Sequence, residues 1–180
     1  MDFFTSDLHI GHDKTFIWRE RGFSSVEEHD TTILKNWNEV VTPKDTVYIL
    51  GDLAMGGNEK VWNEIFFNLN GTKYFVEGNH DTIKKNQIYQ EQYHILPLGI
   101  ASYYHYSKNK KFLLSHYPTM VGNYTQDKFF WNLSGHTHSK NKFEYGQYNI
   151  YNVAVDAHNC TPVSIEQILK DIQQYQNRQK

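Results

Sequence analysis

Three short β-type runs separated by helical stretches constrain this chain more than any other feature. The runs are "DFFTS" (residues 2–6), "TVYIL" (46–50) and "KYFVE" (73–77). Between the first two, Val26, His29, Ile33, Trp37 and Val40 or Val41 recur at helical spacing. Between the second and third, Val61, Trp62, Ile65, Phe66 and Leu69 share one face of a helix over 58–69. Ser25, with Glu28 three residues on, reads as a capping box opening the first helix, and "TPKD" (42–45) ends it. Asn70-Gly71 turns the chain into the third run, and a weaker helix occupies roughly 82–93. Strands that alternate with helices run parallel, in a sheet whose faces the helices cover.

From about residue 95 the texture changes. Short runs rich in Tyr, Phe, Val and Ile ("SYYHY", "KFLLS", "FEYGQYNIYNVAV") alternate with turns, the last carrying a Gly-Gln hairpin signal. Ser164 and Gln167 form a second capping box, and Ile165, Ile168, Leu169 and Ile172 make the stripe of a closing helix. The order β-α-β-α-β-α, then mostly β, then α predicts a four-layer α-β-β-α sandwich of two packed mixed sheets. With no repeat and no linker, residues 1–180 read as a single domain, long enough for a substantial core.

Nearly every predicted strand ends in a side chain able to hold a metal. Asp7 and His9 follow the first, Asp52 the second, and Asn79 and His80 the third. His116 follows "KFLLS", and His136 and His138 follow "FFWNLS". A single strand-end Asp or His is an ordinary turn former. The repetition predicts convergence on one sheet edge, where layered α/β folds bind ligands. Carboxylate, imidazole and amide oxygen without thiolate suit borderline divalent ions, and the set is too large for one tetrahedral ion. Cys160 is the one cysteine, so the chain holds no internal disulfide and no Cys-rich zinc module.

In order, D-x-H (Asp7, His9), G-D (Gly51, Asp52), G-N-H-D (Gly78 to Asp81), the strand-end His116 and G-H-x-H (Gly135 to His138) resemble the calcineurin-like metallophosphoesterases. "SDLHIGHD" and "NVAVDAHNCTPVS" are similar to a compact bacterial and phage branch of that family. The resemblance implies two metal ions, Mn²⁺ first among Fe²⁺, Ni²⁺, Co²⁺ and Zn²⁺. It implies Asp7, His9 and His138 on one ion, Asn79, His116 and His136 on the other, and Asp52 bridging. It also implies a dinuclear phosphoesterase in which a metal-bridging hydroxide attacks and His80 assists the leaving group; little chain beyond the catalytic core predicts an open, shallow site, which suits a diester before a monoester. The alternative is an inactive binding scaffold on the same fold. Many relatives read G-D-x-x-D, whose last Asp orients the histidine; here Met55 stands at that place.

Other residues remain open at this level. His12 reads as a substrate contact or a loop spectator, and Arg19 and Arg21 as phosphate binders or exposed surface. Lys140 and Lys142 could steer an anion or simply be solvated. His29 reads as a core histidine, and His158 as a residue that could reach the edge of the site. His94 and His105 lie in strand-like segments, and Tyr117 could stack a base or pack in the core. His136 and His138, two apart in an extended stretch, would share a face about 6.6–6.8 Å apart. Each could therefore serve a different ion. A net charge of −2 predicts no long nucleic-acid track, leaving a small phosphate ester or nucleotide as substrate. The absence of a leader or membrane-spanning pattern predicts a cytoplasmic protein.

Overall fold

The structure, a computed structural model, describes residues 1–56, 58–121, 129–145 and 148–179. The alternating part runs β1 (Asp2–Thr5), a one-turn α1 (Thr15–Trp18), α2 (Val26–Val40), β2 (Thr46–Leu50), α3 (Glu59–Phe66), β3 (Thr72–Val76) and α4 (Ile83–Tyr93). Then come β4 (Leu96–Pro97), β5 (Ala101–Ser107), β6 (Lys110–Ser115), β7 (Phe130–Ser134) and β8 (Ile150–Asn152). A 3-10 turn (Val155–Ala157), β9 (Val163–Ser164) and α5 (Ile165–Arg178) close the chain.

Both serine caps form. Ser25 accepts the Glu28 amide, while the Glu28 carboxylate returns to the amide of Ser24 instead of Ser25. Ser164 accepts the Gln167 amide, and the Gln167 side chain turns to Asp171 instead. Each cap satisfies a backbone donor that the first turn leaves free, worth about 1 kcal/mol.

The first sheet has the order β4-β3-β2-β1-β9, with β1 to β4 parallel and β9 antiparallel to β1. The second has the order β5-β6-β7-β8, antiparallel between β5 and β6 and parallel beyond. Alternate residues of the first sheet serve two cores. Phe3, Val47, Ile49 and Phe75 face the helices with Ile33, Trp37, Trp62 and Phe66. Phe4, Leu50 and Val76 face Phe112, Leu114, Trp131, Leu133 and Tyr151 of the second sheet, and Ile165, Ile168 and Ile172 of α5 close the same cluster. Burial on both faces explains why these strands read as nearly continuous apolar runs. The two mixed sheets flanked by helices are the α/β sandwich that the sequence predicts.

Two local expectations fail. Among the described residues of "FEYGQYNIYNVAV" only Ile150–Asn152 is a named strand, and it pairs in parallel with β7. Tyr145 and Asn149 take left-handed φ values of 55° and 54°, which interrupt an extended run. The Gly146-Gln147 turn lies outside the described residues. His94 is not in a strand: it caps α4 with a left-handed φ of 53°. Among the described residues no helix is long and apolar enough to cross a membrane.

Candidate metal centre

The loops that leave β1, β2, β3, β6 and β7 bring eight of the strand-end side chains to one place. Parallel pairing of β1, β2 and β3 delivers Asp7 and His9, Asp52, and Asn79 and His80 at the same sheet edge. The second sheet packs against the first and adds His116, His136 and His138.

Both carboxylates are held in the same way. Asp7 is fully buried, and its Oδ2 accepts the Ser6 hydroxyl at 2.7 Å and the His136 amide at 2.9 Å. Its Oδ1 has no hydrogen-bond partner and lies 3.8 Å from His138 Nε2 and 4.0 Å from His9 Nε2. Asp52 Oδ1 accepts the His80 amide at 2.9 Å. Its Oδ2 faces His116 Nε2 at 3.6 Å, His9 Nε2 at 3.7 Å and His80 Nε2 at 4.0 Å. One oxygen of each is thus fixed by backbone amides and the other is free to meet a cation.

The remaining donors fall into two groups. His9 Nε2 and His138 Nε2 are 3.2 Å apart, beside Asp7. The Asn79 amide oxygen lies 2.8 Å from His116 Nε2 and 3.0 Å from His136 Nδ1, and those two nitrogens are 3.2 Å apart. His116 Nδ1 donates to the Leu50 carbonyl at 2.9 Å, which leaves the Nε2 lone pair pointing into the cluster. Donor atoms of Asp7, His9 and His138 lie within 4.8 Å of one another, and so do those of Asp7, Asp52 and His116. An orphaned buried carboxylate oxygen facing imidazole nitrogens costs free energy unless a cation neutralises it. The donor set therefore fits divalent metal ions, and its carboxylate, imidazole and amide composition favours borderline ones.

The backbone carries strain here. Asp7, His9, Asp52, His136 and His138 all have left-handed φ values, between 51° and 73°. Such conformations cost roughly 1–3 kcal/mol each in a non-glycine residue and persist only where the surroundings impose them. They also revise the sequence picture of "GHTH". His136 and His138 do not share the face of an extended strand; each is turned by its own left-handed residue, one toward Asn79 and the other toward His9. Two glycines leave space for this crowding. A Cβ on Gly135 would run into Ser6 Oγ and Asp7 Oδ2, and one on Gly78 would run into Asp52 Oδ1.

Electrostatics follow from burial. Desolvation pushes the Asp7 carboxyl above the usual range and the His9 imidazole far below its ordinary value. His136 is also lowered, by burial and by neighbouring His116. At His138 burial opposes charge, but the hydrogen bond to Asp156 and the Asp7 carboxylate outweigh it and hold the pKa up.

The sequence reading missed the residues behind the site. Arg21 is not exposed: its side chain is 2% accessible and ion-paired with Asp156. Its guanidinium also donates to the Asp7 carbonyl at 2.8 Å and lies 2.8 Å from His29 Nε2, and the His29 Nδ1 lies 2.8 Å from Asp30. His29 is thus a partnered core histidine. Nothing around Arg21 in the sequence signals burial. Asp156 was findable, because it follows the "YNVAV" run as Asp52 follows "TVYIL".

His80 has a main-chain clamp in place of the missing carboxylate. Lys85 Nζ donates to the His80 carbonyl at 2.8 Å and to the Ala54 carbonyl at 2.9 Å. Asp81 Oδ2 accepts the Asp52 amide at 2.6 Å and the Gly78 amide at 2.9 Å, tying the same two loops. Burial pushes the Asp81 carboxyl up to about 6.

The other candidates separate. His12 is buried beside His9, with ring centroids 5.5 Å apart, and lines a cavity of about 610 Å³ together with His80, His138 and Lys140. Arg19 is not at the site: it is exposed at the end of α1, with its guanidinium 5.5 Å over the Trp18 ring, a cation–π contact that holds it on the surface. Lys142 is 2.8 Å from Asp171 and so is engaged elsewhere. The His158 imidazole donates to the Asn152 carbonyl at 2.9 Å and does not line the cavity. Tyr117 is exposed, its ring 4.6 Å from that of His136.

Comparison with known proteins agrees with this geometry. The model of the calcineurin-like phosphoesterase family matches residues 3–178. An uncharacterized protein of Methanocaldococcus jannaschii, MJ1445, is 36% identical over 173 residues, covering 93% of this chain and 89% of that protein. The gene 66 protein of Mycobacterium phage D29 is 32% identical over 161 residues, covering 76% and 78%. The crystal structure of AQ665 from Aquifex aeolicus, a protein of unknown function, superposes with a TM-score of 0.75 at 27% identity. It covers 94% of this chain and 98% of that one.

Proposed function

The chain belongs to the calcineurin-like phosphoesterases, a family of metal-dependent phosphoester hydrolases, and from that premise we propose that it hydrolyses small phosphodiesters at a two-metal centre. Asp7, His9 and His138 would hold one ion, Asn79, His116 and His136 the other, and Asp52 both. One observation carries this reading: Asp52 Oδ2 faces His9 Nε2 at 3.7 Å and His116 Nε2 at 3.6 Å, one imidazole from each group.

Two divalent ions, when bound, supply Lewis-acid activation of water and positive charge for the phosphoryl oxygens. The protein's own contribution is placement. His80 is the most exposed imidazole of the cluster, its side chain 42% accessible against 33% for His138, and it lines the cavity beside the site. From there it protonates the departing alkoxide as water adds to phosphorus and the P–O bond to the leaving group breaks, so that an alcohol and a phosphomonoester are released. Asp52 Oδ1 fixes the amide of His80, and Lys85 fixes its carbonyl. Both keep the ring at hydrogen-bonding reach of the leaving oxygen, where misplacement by an ångström costs rate heavily. An open site with no covering domain among the described residues suits a diester, whose second substituent needs room.

The test is turnover of bis(p-nitrophenyl) phosphate and p-nitrophenyl phosphate with added Mn²⁺, Ni²⁺ or Zn²⁺. Faster release from the diester is expected. Faster release from the monoester would reverse the diester preference. No release with any metal would overturn the enzyme reading and leave the binding scaffold.

A further inference from the structure

We propose that the cavity of about 610 Å³ beside His80 and His138 is a leaving-group subsite that accepts a nucleoside. The inference rests on His80 being the proton donor of the proposed hydrolysis. A general acid must lie within hydrogen-bond reach of the oxygen it protonates, so the leaving alcohol departs on the side of His80. That side is this cavity, whose volume falls in the range of small-molecule sites.

Its walls define what the alcohol carries. Phe16 is 62% exposed, although a phenyl ring gains from burial. It stands on the one-turn α1, edge-on to the buried His12 ring at 5.4 Å and 75°. Met55 lines the same cavity, and a thioether packs adaptably against a ring. Phe16, His12 and Met55 thus offer an aromatic and polarisable surface that solvent now covers, suited to a planar group. Lys140 and Glu20 also line it, with Lys14, whose Nζ is 4.0 Å from the exposed Asp13 carboxylate; Asp156 is already paired with Arg21. The cavity therefore has lysine ammonium groups at its edge and an apolar wall. A nucleoside joined to a phosphate has the matching halves: a planar base for the wall and an anionic ester for the cations. Every base has such a face, so the subsite selects for a base without reading which one.

Met55 then has a task of its own. It supplies apolar surface to the pocket, while Lys85 holds His80 by its carbonyl.

The experiment compares two diesters with chemically matched primary leaving alcohols, the methyl phosphodiesters of adenosine (5′-linked) and of glycerol, in the Mn²⁺-loaded protein. The readout is kcat/KM for release of adenosine or of glycerol, with bis(p-nitrophenyl) phosphate as the activity reference. Binding is read separately, as the Kd of adenosine for the metal-free protein. The wild type should favour adenosine about tenfold or more, the scale of stacking one base on a side chain. Phe16→Ala should bring the ratio close to one and weaken adenosine binding, and Phe16→Trp should retain both. A wild-type ratio near one with good turnover of the reference overturns the subsite and leaves the proposed function intact. A preference that survives Phe16→Ala also overturns it. Failure to turn over even the reference diester overturns the parent reading, and the subsite with it.

Discussion

Arg21 holds Asp156 with two parallel hydrogen bonds, Nε to Oδ1 at 2.9 Å and Nη2 to Oδ2 at 2.8 Å. The same Oδ2 lies 3.2 Å from His138 Nδ1. Burial alone would raise the Asp156 carboxyl, but His138 and Arg21 outweigh it and hold the pKa down at about 2. A carboxylate behind a metal-facing imidazole fixes the ring and its tautomer and raises its basicity. Asp156→Asn should therefore weaken metal binding about 10–100-fold. Calorimetric titration of the apoprotein with Mn²⁺ measures it, and an unchanged affinity would refute the role.

Arg21 has a separate consequence for stability. Its forked guanidinium joins the Asp7 carbonyl, the Asp156 carboxylate and His29, all behind the site. Arg21→Met leaves a buried carboxylate without its partner, which costs about 3–5 kcal/mol. Arg21→Lys should recover little, because an ammonium does not reproduce the fork. Urea denaturation of the three proteins gives the comparison; equal midpoints would mean that the pair contributes nothing.

The two histidines of "GHTH" should separate by ion. His136 faces Asn79 and His116, and His138 faces His9 and Asp7. His136→Ala should empty the Asn79–His116 position first, and His138→Ala the Asp7–His9 position, as read by metal stoichiometry and by metal-edge anomalous diffraction. Because His136 has a φ of 73°, His136→Gly should be more stable than His136→Ala by about 1 kcal/mol. Loss of both ions in either variant would contradict independent positions.

His80→Ala should keep both metals and lose about 10²–10⁴-fold in kcat, the usual contribution of a general acid. Lys85→Met should act more weakly and through the same step, because Lys85 Nζ donates to the carbonyls of Ala54 and His80 and not to the imidazole. Loss of a metal on His80→Ala would make it a ligand.

Much of this architecture was legible in the sequence, for a physical reason. A strand buried on both faces is a continuous apolar run, so β1, β2 and β3 and their polar ends stood out. The serine caps were legible because Ser25 and Ser164 satisfy amides through local chemistry. What was hidden depends on long-range packing. Arg21 is buried only because Asp156 arrives 135 positions later. The left-handed turns at His136 and His138 cannot be read from histidine alone, which visits that region more often than most residues but still only in a minority of cases. Phe16 was invisible because a single helical turn, Thr15–Trp18, has no periodicity to detect.

His158 supplies the last prediction, on acid stability. Burial lowers its pKa from the ordinary value of 6.5 to about 4, and its Nε2 donates to the Asn152 carbonyl. The unfolded chain therefore binds a proton between pH 6.5 and 4 that the folded chain excludes. Stability from this group is fully present above pH 6.5 and is lost as the pH falls toward 4. Each unit of depression corresponds to about 1.4 kcal/mol, and screening of a partly buried ring reduces the total to the order of 2 kcal/mol. His158→Gln keeps a side-chain donor for Asn152 and removes the titration. Its stability should fall less steeply than that of wild type between pH 6.5 and 4 in metal-free buffer. Parallel curves across that window would mean that the His158 proton has no part in acid unfolding.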